Sequence, residues 1–330
     1  MADTGEKTLL SFIIPCYRSE RTIEGVVDEI KRTVAARPAY DYEMILVDDA
    51  SPDGVFSVIE RLAKADAKIT GISFAKNFGQ HSALLAGMRA ARGDIVLCLD
   101  DDGQTPADEL FSLIDALDDD VDVVYASYLG HDAGKKHSAF RRFGSRVNDR
   151  MLRALLKKPK SLEITSYFAA KRYIIDEACR YGNPFPYAVG LILRSTDRIK
   201  NVPVKHRSRR EGSSGYSLKK LLALWLNGFT TFSVVPLRVA TASGTVFAAF
   251  GFIYAIYLII RKLVDPGVVL GYSSTMAAIL FIGGVQMLLM GMLGEYVGRT
   301  YVSINKSPQY VIRRTTRGEH PASRGESDET

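Results

Sequence analysis

At 330 residues and 47% hydrophobic content, the chain has room for one large domain or two ordinary ones, with a sizeable core. Its formal charge of +6 is unevenly spread: residues 94–122 are strongly acidic, whereas residues 135–160 carry ten lysines and arginines against Asp149 alone, so the two stretches favour different partners. Three widely separated cysteines (Cys16, Cys98 and Cys179) argue against a disulfide framework and fit a reducing compartment, and the polar residues 1–8 lack the apolar core of a secretion signal.

In chain order, residues 9–15 read as a strand stopped by Pro15, and residues 20–36 as a helix with apolar Ile23, Val26, Val27 and Ile30. Residues 42–47 read as a second strand, running into Asp48-Asp49-Ala50-Ser51-Pro52-Asp53-Gly54. The alternation continues with helix 55–65, strand 69–74, helix 80–91, strand 95–99, helix 106–117 and strand 121–126. Connections this long exclude hairpins and predict a parallel, doubly wound α/β sheet with helices on both faces. Such sheets bind ligands outside the carboxyl ends of their strands. Three polar clusters fall at that edge: Tyr17, Asp48-Asp49, and Asp100 to Gln104. Further on, residues 163–170 read as a loop entering a strand and residues 198–205 as another strand.

The stretch V-L-C-L-D-D-D-G-Q, from Val96 to Gln104, sets three carboxylates at a strand end. Strand alternation would send Asp100 and Asp102 to one side and Asp101 to the other. Hard oxygen ligands in that pattern suit Mg²⁺ or Mn²⁺ shared with a substrate's phosphates. The same residues also read as an acidic turn before a helix, since Thr105-Pro106 precedes Asp108 and Glu109. No G-x-x-x-x-G-K-[ST] or G-x-G-x-x-G occurs, which excludes a P-loop and a dinucleotide fingerprint, and no H-E-x-x-H or cysteine pair points to zinc. In Asn77-Phe78-Gly79-Gln80-His81, Gly79 suits close approach of backbone to a ligand, and His81 reads either as a base or as an ordinary loop residue.

Two apolar stretches follow: 22 uncharged residues at 239–260 and 23 at 272–294. Each meets the length of about 20 residues for a spanning helix, and Asp265-Pro266-Gly267 between them predicts a membrane hairpin. A helix over 139–156 would carry a basic stripe of Arg142, Arg146, Arg150 and Arg153, which reads as a solvated surface or as a face for a phosphate or anionic lipid, the last favoured by the apolar stretches in the same chain. Aromatics are too sparse there for nucleic acid. The cation-rich residues 209–217 read as a loop closing over a diphosphate, and residues 218–232, with Lys219, Lys220 and Trp225, as an interfacial helix. Lys219, Lys220, Arg238, Arg299, Lys306, Arg313 and Arg314 on one side, against Arg261 and Lys262 on the other, predict that both chain ends are cytoplasmic. The tail after Arg317 reads as disordered.

The motifs I-I-P-C-Y, V-D-D-A-S-P-D, N-F-G-Q-H-S-A-L-L-A-G, L-D-D-D-G-Q, the R-x-x-G-x-S-x-Y of Arg209 to Tyr216, and L-G-E-Y-V-G-R-T-Y resemble those of the inverting family-2 polyprenyl-phosphate glycosyltransferases, in the same order, across about residues 9 to 315. The resemblance implies a GT-A catalytic domain at 1–217, an interfacial helix at 218–235, a transmembrane hairpin at 236–298 and a cytoplasmic segment at 299–330. It places Pro15, Tyr17, Val47, Asp49, Gly79, Asp100 and Asp101 around a nucleotide sugar, expected to be uridine-linked. Asp102 and Gln104 would see Mg²⁺ or Mn²⁺. Asp102, Glu163 and Arg209 would form the catalytic set, and Arg142, Arg146, Arg207, Arg210 and Ser214 would meet the phosphate of a polyprenyl acceptor. An inner-membrane homo-oligomer, a tetramer, is implied as well.

Three positions depart from the family pattern: Ser19 in place of glutamate, Phe168 in place of arginine and Gly215 in place of lysine. A processive polysaccharide synthase would carry Q-x-x-R-W and more spans, neither of which is seen. The intact Asp100 to Gln104 cluster argues against a scaffold that lost its chemistry.

Overall fold

The computed structural model describes residues 7–128, 162–184, 186–205, 235–264, 272–305 and 307–317. Runs of branched and aromatic residues form the first four strands: β1 (Thr8–Cys16), β2 (Tyr40–Asp48), β3 (Ile69–Phe74) and β4 (Ile95–Cys98). They are parallel to one another, with β1 between β4 and β2, and β3 beyond β2. All six residues of β3 are buried, as expected of a strand covered on both faces.

Between these strands lie α1 (Ile23–Ala35), α2 (Val55–Ala65) and α3 (Gln80–Ala90). Alternation along β1 sends Leu10, Phe12 and Ile14 into a core with α1, α2 and α4 (Leu110–Ile114), while Ile13 enters the opposite core. That second core is closed by α3, α5 (Arg172–Cys179) and α6 (Ala188–Ser195). At the amino edge of the sheet, buried Glu43 accepts from Ser11 Oγ, from Arg92 N–H and twice from the Arg92 guanidinium.

The complete sheet has eight strands in the order β7-β5-β6-β4-β1-β2-β3-β8, adding β5 (Val123–Ser127), β6 (Phe168–Lys171), β7 (Ile199–Pro203) and β8 (Ile312–Thr315). The sheet is therefore mixed, not wholly parallel: β6 runs antiparallel to both β4 and β5, and β8 antiparallel to β3. The reason lies in the return path. β5 runs out at the carboxyl edge and β6 re-enters from that same edge, so it must run back.

Several boundaries also move. Helix α1 starts at Ile23, because the Ser19 carbonyl accepts the N–H groups of both Thr22 and Ile23. The helix expected over 106–117 shrinks to a 3₁₀ turn at Ala107–Glu109 followed by α4, and the Leu117 N–H turns to the Ile114 carbonyl instead of extending it.

The chain divides into two compact units, Met1–Leu221 with Pro308–Thr330, and Leu222–Ser307. Within the first, residues 308–317 form a strap that returns to the sheet. Tyr310 stacks on Phe74 with ring centroids 5.2 Å apart, Gln309 Nε2 donates to the carbonyls of Tyr181 and Asn183, and Thr316 Oγ1 accepts the Gly71 N–H.

The second unit holds α7 (Val235–Val264) and α8 (Tyr272–Ile304). Large apolar side chains such as Phe252 and Met287 stand exposed on them. Among the described residues, only Phe281–Ile304 is long and apolar enough to cross a membrane, whereas the apolar stretch of α7, Thr241–Tyr254, is shorter. Both expected apolar segments thus form helices, but one of them meets the criterion for a span. Helix α8 also continues ten residues beyond Gly294, through Glu295 and Arg299.

Candidate active site

The polar clusters expected at the carboxyl edge do meet there. β1 and β2 run in register, with Pro15 opposite Val47 and Cys16 opposite Asp48, and the loops that follow carry Tyr17 and Asp49. The Asp49 N–H donates to the Cys16 carbonyl at 3.1 Å. Its carboxylate accepts the N–H groups of Phe78 at 2.7 Å and Gly79 at 2.9 Å. Gly79 sits at φ +91°, a region that favours glycine, and this turn aims both amides at Asp49 before α3 begins. Burial pushes the Asp49 carboxyl up to about 6, against the opposing pull of those two N–H groups.

β4 stops at Cys98, so the three aspartates leave the strand before its alternation can sort them. Asp100 accepts from Ser166 Oγ and, at 3.2 Å, from Gln80 Nε2. Asp101 faces the β1 loop, where its carboxylate accepts the Tyr17 N–H at 2.9 Å and its carbonyl accepts Thr22 Oγ1 at 2.6 Å. Burial lifts the Asp101 carboxyl to about 6, with Asp100 and Asp102 adding to the rise. Asp102 closes a tight turn, accepting the Gln104 N–H at 3.0 Å across Gly103 at φ +71°.

Glu163 approaches from the β6 side. Its carboxylate accepts Ser127 Oγ at 2.6 Å and the Tyr128 N–H at 3.1 Å, while its own backbone is bound in both directions by the Asn201 amide. Burial raises the pKa of the Tyr128 phenol and keeps it protonated, and Asp100, Glu163 and Asp102 raise it further, so three carboxylates act on one ring. His81 is a poor candidate for a base. Burial holds it down near 4, its Nδ1 is enclosed without a partner among the described residues, and its ring packs edge-on against Tyr187 at 4.7 Å.

An acidic rim of this kind repels phosphate unless a cation intervenes. The donor chemistry fits a hard divalent ion: Asp102 offers a carboxylate and Gln104 an amide oxygen, half-buried in one turn. Among the described residues, no three His, Cys, Asp or Glu side chains are grouped to hold a metal by themselves, so water and substrate phosphate oxygens would complete the shell. Arg142, Arg146, Arg207, Arg209, Arg210 and Ser214, with the helices expected over 139–156 and 218–232, lie outside the described residues. Sequence reasoning passed over Ser166, Gln80 and Asn201, which orient Asp100 and Glu163; they sit in different elements and no motif links them.

Residues 11–178 match Glycosyl transferase family 2, and residues 235–300 match the GtrB C-terminal hairpin. The chain is 32% identical over 330 residues to the undecaprenyl-phosphate 4-deoxy-4-formamido-L-arabinose transferase of Edwardsiella ictaluri, spanning 97% of this chain and 98% of that one. It is 31% identical over 312 residues to the SfII prophage-derived bactoprenol glucosyl transferase of Shigella flexneri, spanning 94% and 99%. Among solved structures, glucosyl-3-phosphoglycerate synthase from Mycobacterium tuberculosis is 22% identical and spans 69% of this chain and 79% of that one, with a TM-score of 0.49, an overlap too loose to carry chemistry from one to the other. With its sheet domain matched by the family and named relatives above 30% identity along nearly its whole length, the chain belongs to glycosyl transferase family 2.

Proposed function

We infer that this protein moves one sugar from a nucleoside diphosphate donor to a polyprenyl phosphate at the cytoplasmic face of a membrane. The observation that carries this reading is the convergence of Tyr17, Asp49, Asp101 and Asp102 at one sheet edge, in a chain that also holds a membrane-length apolar helix. The names of the relatives, which act on undecaprenyl phosphate and bactoprenol, support the acceptor class.

Pro15, Tyr17, Val47, Asp49 and Gly79 hold the nucleotide, with uridine as the expected base, and Asp100 and Asp101 line the sugar-diphosphate end. Asp102 and Gln104 hold Mg²⁺ or Mn²⁺, which when bound neutralises charge on the departing diphosphate. Arg209 contacts the same diphosphate. The acceptor phosphate has a second pKa of about 6 and is largely anionic near neutrality, so little general-base assistance is needed. Its oxygen forms a bond to the anomeric carbon as the bond to the diphosphate oxygen breaks, which inverts the configuration and releases the nucleotide. Glu163, fixed by Ser127 and Asn201, orients groups at that centre.

Arg142, Arg146, Arg207, Arg210 and Ser214 meet the lipid phosphate. The two helices form a hairpin with both ends cytoplasmic, within a homo-oligomer, a tetramer on this reading. A processive synthase is disfavoured, since the sequence lacks Q-x-x-R-W. The test is transfer from radiolabelled nucleotide sugars to lipid in membranes containing the protein and Mn²⁺. Label should enter the lipid extract and fall at least about 100-fold with Asp102→Ala. No lipid-extractable label from any donor would overturn the reading.

A further inference from the structure

We propose that Asp53, with Ser51 and Glu20, forms a brace that positions the donor site by locking the loops after β1 and β2 into one strained shape. This rests on the nucleotide reading above and adds residues that do not themselves touch the ligand. Among the described residues, two non-glycine positions have positive φ: Arg18 at +61° and Ala50 at +50°. Each directly follows a residue assigned to the nucleotide, Tyr17 and Asp49. Left-handed backbone at such residues persists only where the surroundings over-determine it.

Those surroundings are specific. Ser51 Oγ accepts the Arg18 N–H at 2.7 Å and donates to Asp53 Oδ1 at 2.6 Å. Asp53 Oδ2 accepts the Glu20 N–H at 3.0 Å, and Glu20 Oε2 in turn accepts the Gly54 N–H at 3.0 Å. The brace is anchored in the sheet, because buried Asp48 accepts the Ser51 N–H at 2.8 Å and Ser73 Oγ at 2.7 Å. The two loops therefore exchange three hydrogen bonds, each running through the side chain of Ser51, Asp53 or Glu20. The Glu20 carboxylate lies close over Gly54, where a Cβ would come 2.7 Å from Oε1 and displace the end of that side chain.

Asp53 is not chiefly a helix cap. It lies one residue before the N-cap, Gly54, and its contact with the Val55 N–H is long, at 3.4 Å, beside the 2.6 Å and 3.0 Å bonds it makes to Ser51 and Glu20. Both of its carboxylate oxygens point into the brace, so it acts on a ligand only through the backbone that presents Tyr17 and Asp49. Glu20 is exposed and Ser51 and Asp53 only half-buried, so replacing them leaves both cores intact.

The experiment uses the full chain in detergent and measures binding of UDP, GDP, CDP and ADP with Mn²⁺ by calorimetry. For whichever diphosphate the unaltered protein binds, Asp53→Ala and Ser51→Ala should each weaken affinity about 10- to 30-fold. Melting temperature should move little, and donor KM should rise more than kcat falls. Placing glycine at both strained positions, Arg18→Gly with Ala50→Gly, in the Asp53→Ala background should recover most of that loss, because glycine adopts the left-handed shape without a brace. Affinities within two-fold of the unaltered protein in both single variants, or a loss the glycine pair leaves unrepaired, would overturn the brace. Failure of the unaltered protein to bind any of the four would instead overturn the nucleotide site, and the brace with it.

Discussion

Asp49 sets burial against hydrogen bonding in a single side chain, and the balance can be measured. The residue is 4% exposed and its carboxylate accepts two backbone N–H groups, yet burial prevails and holds it near 6, well above the usual value of about 3.9. A rise of about 2 units corresponds to about 3 kcal/mol. The sign follows from proton uptake: between about pH 4 and pH 6 the native state binds more protons here than the unfolded chain, so stability is fully present below about 4 and is lost as pH rises through about 6. Asp49→Asn is neutral throughout and lacks this dependence. On going from pH 4.5 to 7.5, the variant should therefore gain on the unaltered protein by about 2 kcal/mol, the part of the effect that lies above pH 4.5, or roughly 4–8 °C in melting temperature for a unit of this size. Thermal melts of both proteins in one detergent across that range provide the comparison. A gap independent of pH, or one in which the unaltered protein gains as pH rises, would mean that the Phe78 and Gly79 amides outweigh burial. The variant should lose nucleotide affinity while gaining stability at neutral pH, as expected where a site holds a charge for its ligand.

Arg92→Ala removes a guanidinium, itself 63% exposed, from the carboxylate of Glu43, 5% exposed, which keeps Ser11 Oγ and the residue-92 N–H, and should cost about 1–2 kcal/mol in a denaturant titration. His81→Gln should leave the pH profile of transfer without a missing limb near 6.5, because burial already keeps the imidazole neutral there. Tyr310→Ala removes the stack on Phe74 and the acceptor of Arg89 Nη1, and should cost about 2 kcal/mol, whereas Tyr310→Phe, which keeps the stack, should cost about 1 kcal/mol. Thermal melts of the two variants distinguish the ring from its hydroxyl.

The β/α alternation was legible because β1 to β4 are covered on both faces and read as apolar runs interrupted by amphipathic helices with buried faces, as in Val26, Val27 and Ile30 of α1. The mixed character of the sheet was not. β6 is four residues with two alanines and β8 is Ile-Arg-Arg-Thr, and neither carries a periodicity that marks an edge or a direction. The eight-residue helices α5 and α6 escaped notice for a related reason: two turns are too short to display a face, and contact with α3 decides them. What brings β8 onto β3 is the pairing of residues more than 230 positions apart, together with Tyr310 on Phe74.

The site divides along the same line. Tyr17, Asp49 and Asp100 to Gln104 could be read as one cluster because each follows a strand, and topology alone sends strand ends to one edge. Their individual duties could not, because these depend on where the strand stops. Had β4 continued through Asp102, alternation would have paired Asp100 with Asp102. Ending at Cys98, it lets Asp101 bind the Tyr17 amide, Asp100 meet Ser166 and Gln80, and Asp102 close a turn with Gln104. Three like charges in sequence are thereby directed to different partners, which limits their mutual repulsion and keeps Asp102 and Gln104 together in one turn. The brace was hidden for a similar reason: Arg18 to Ser51 and Glu20 to Asp53 are contacts 33 residues apart. In the string V-D-D-A-S-P-D they look like an ordinary turn, and only the left-handed backbone at Arg18 and Ala50 reveals that something must hold it.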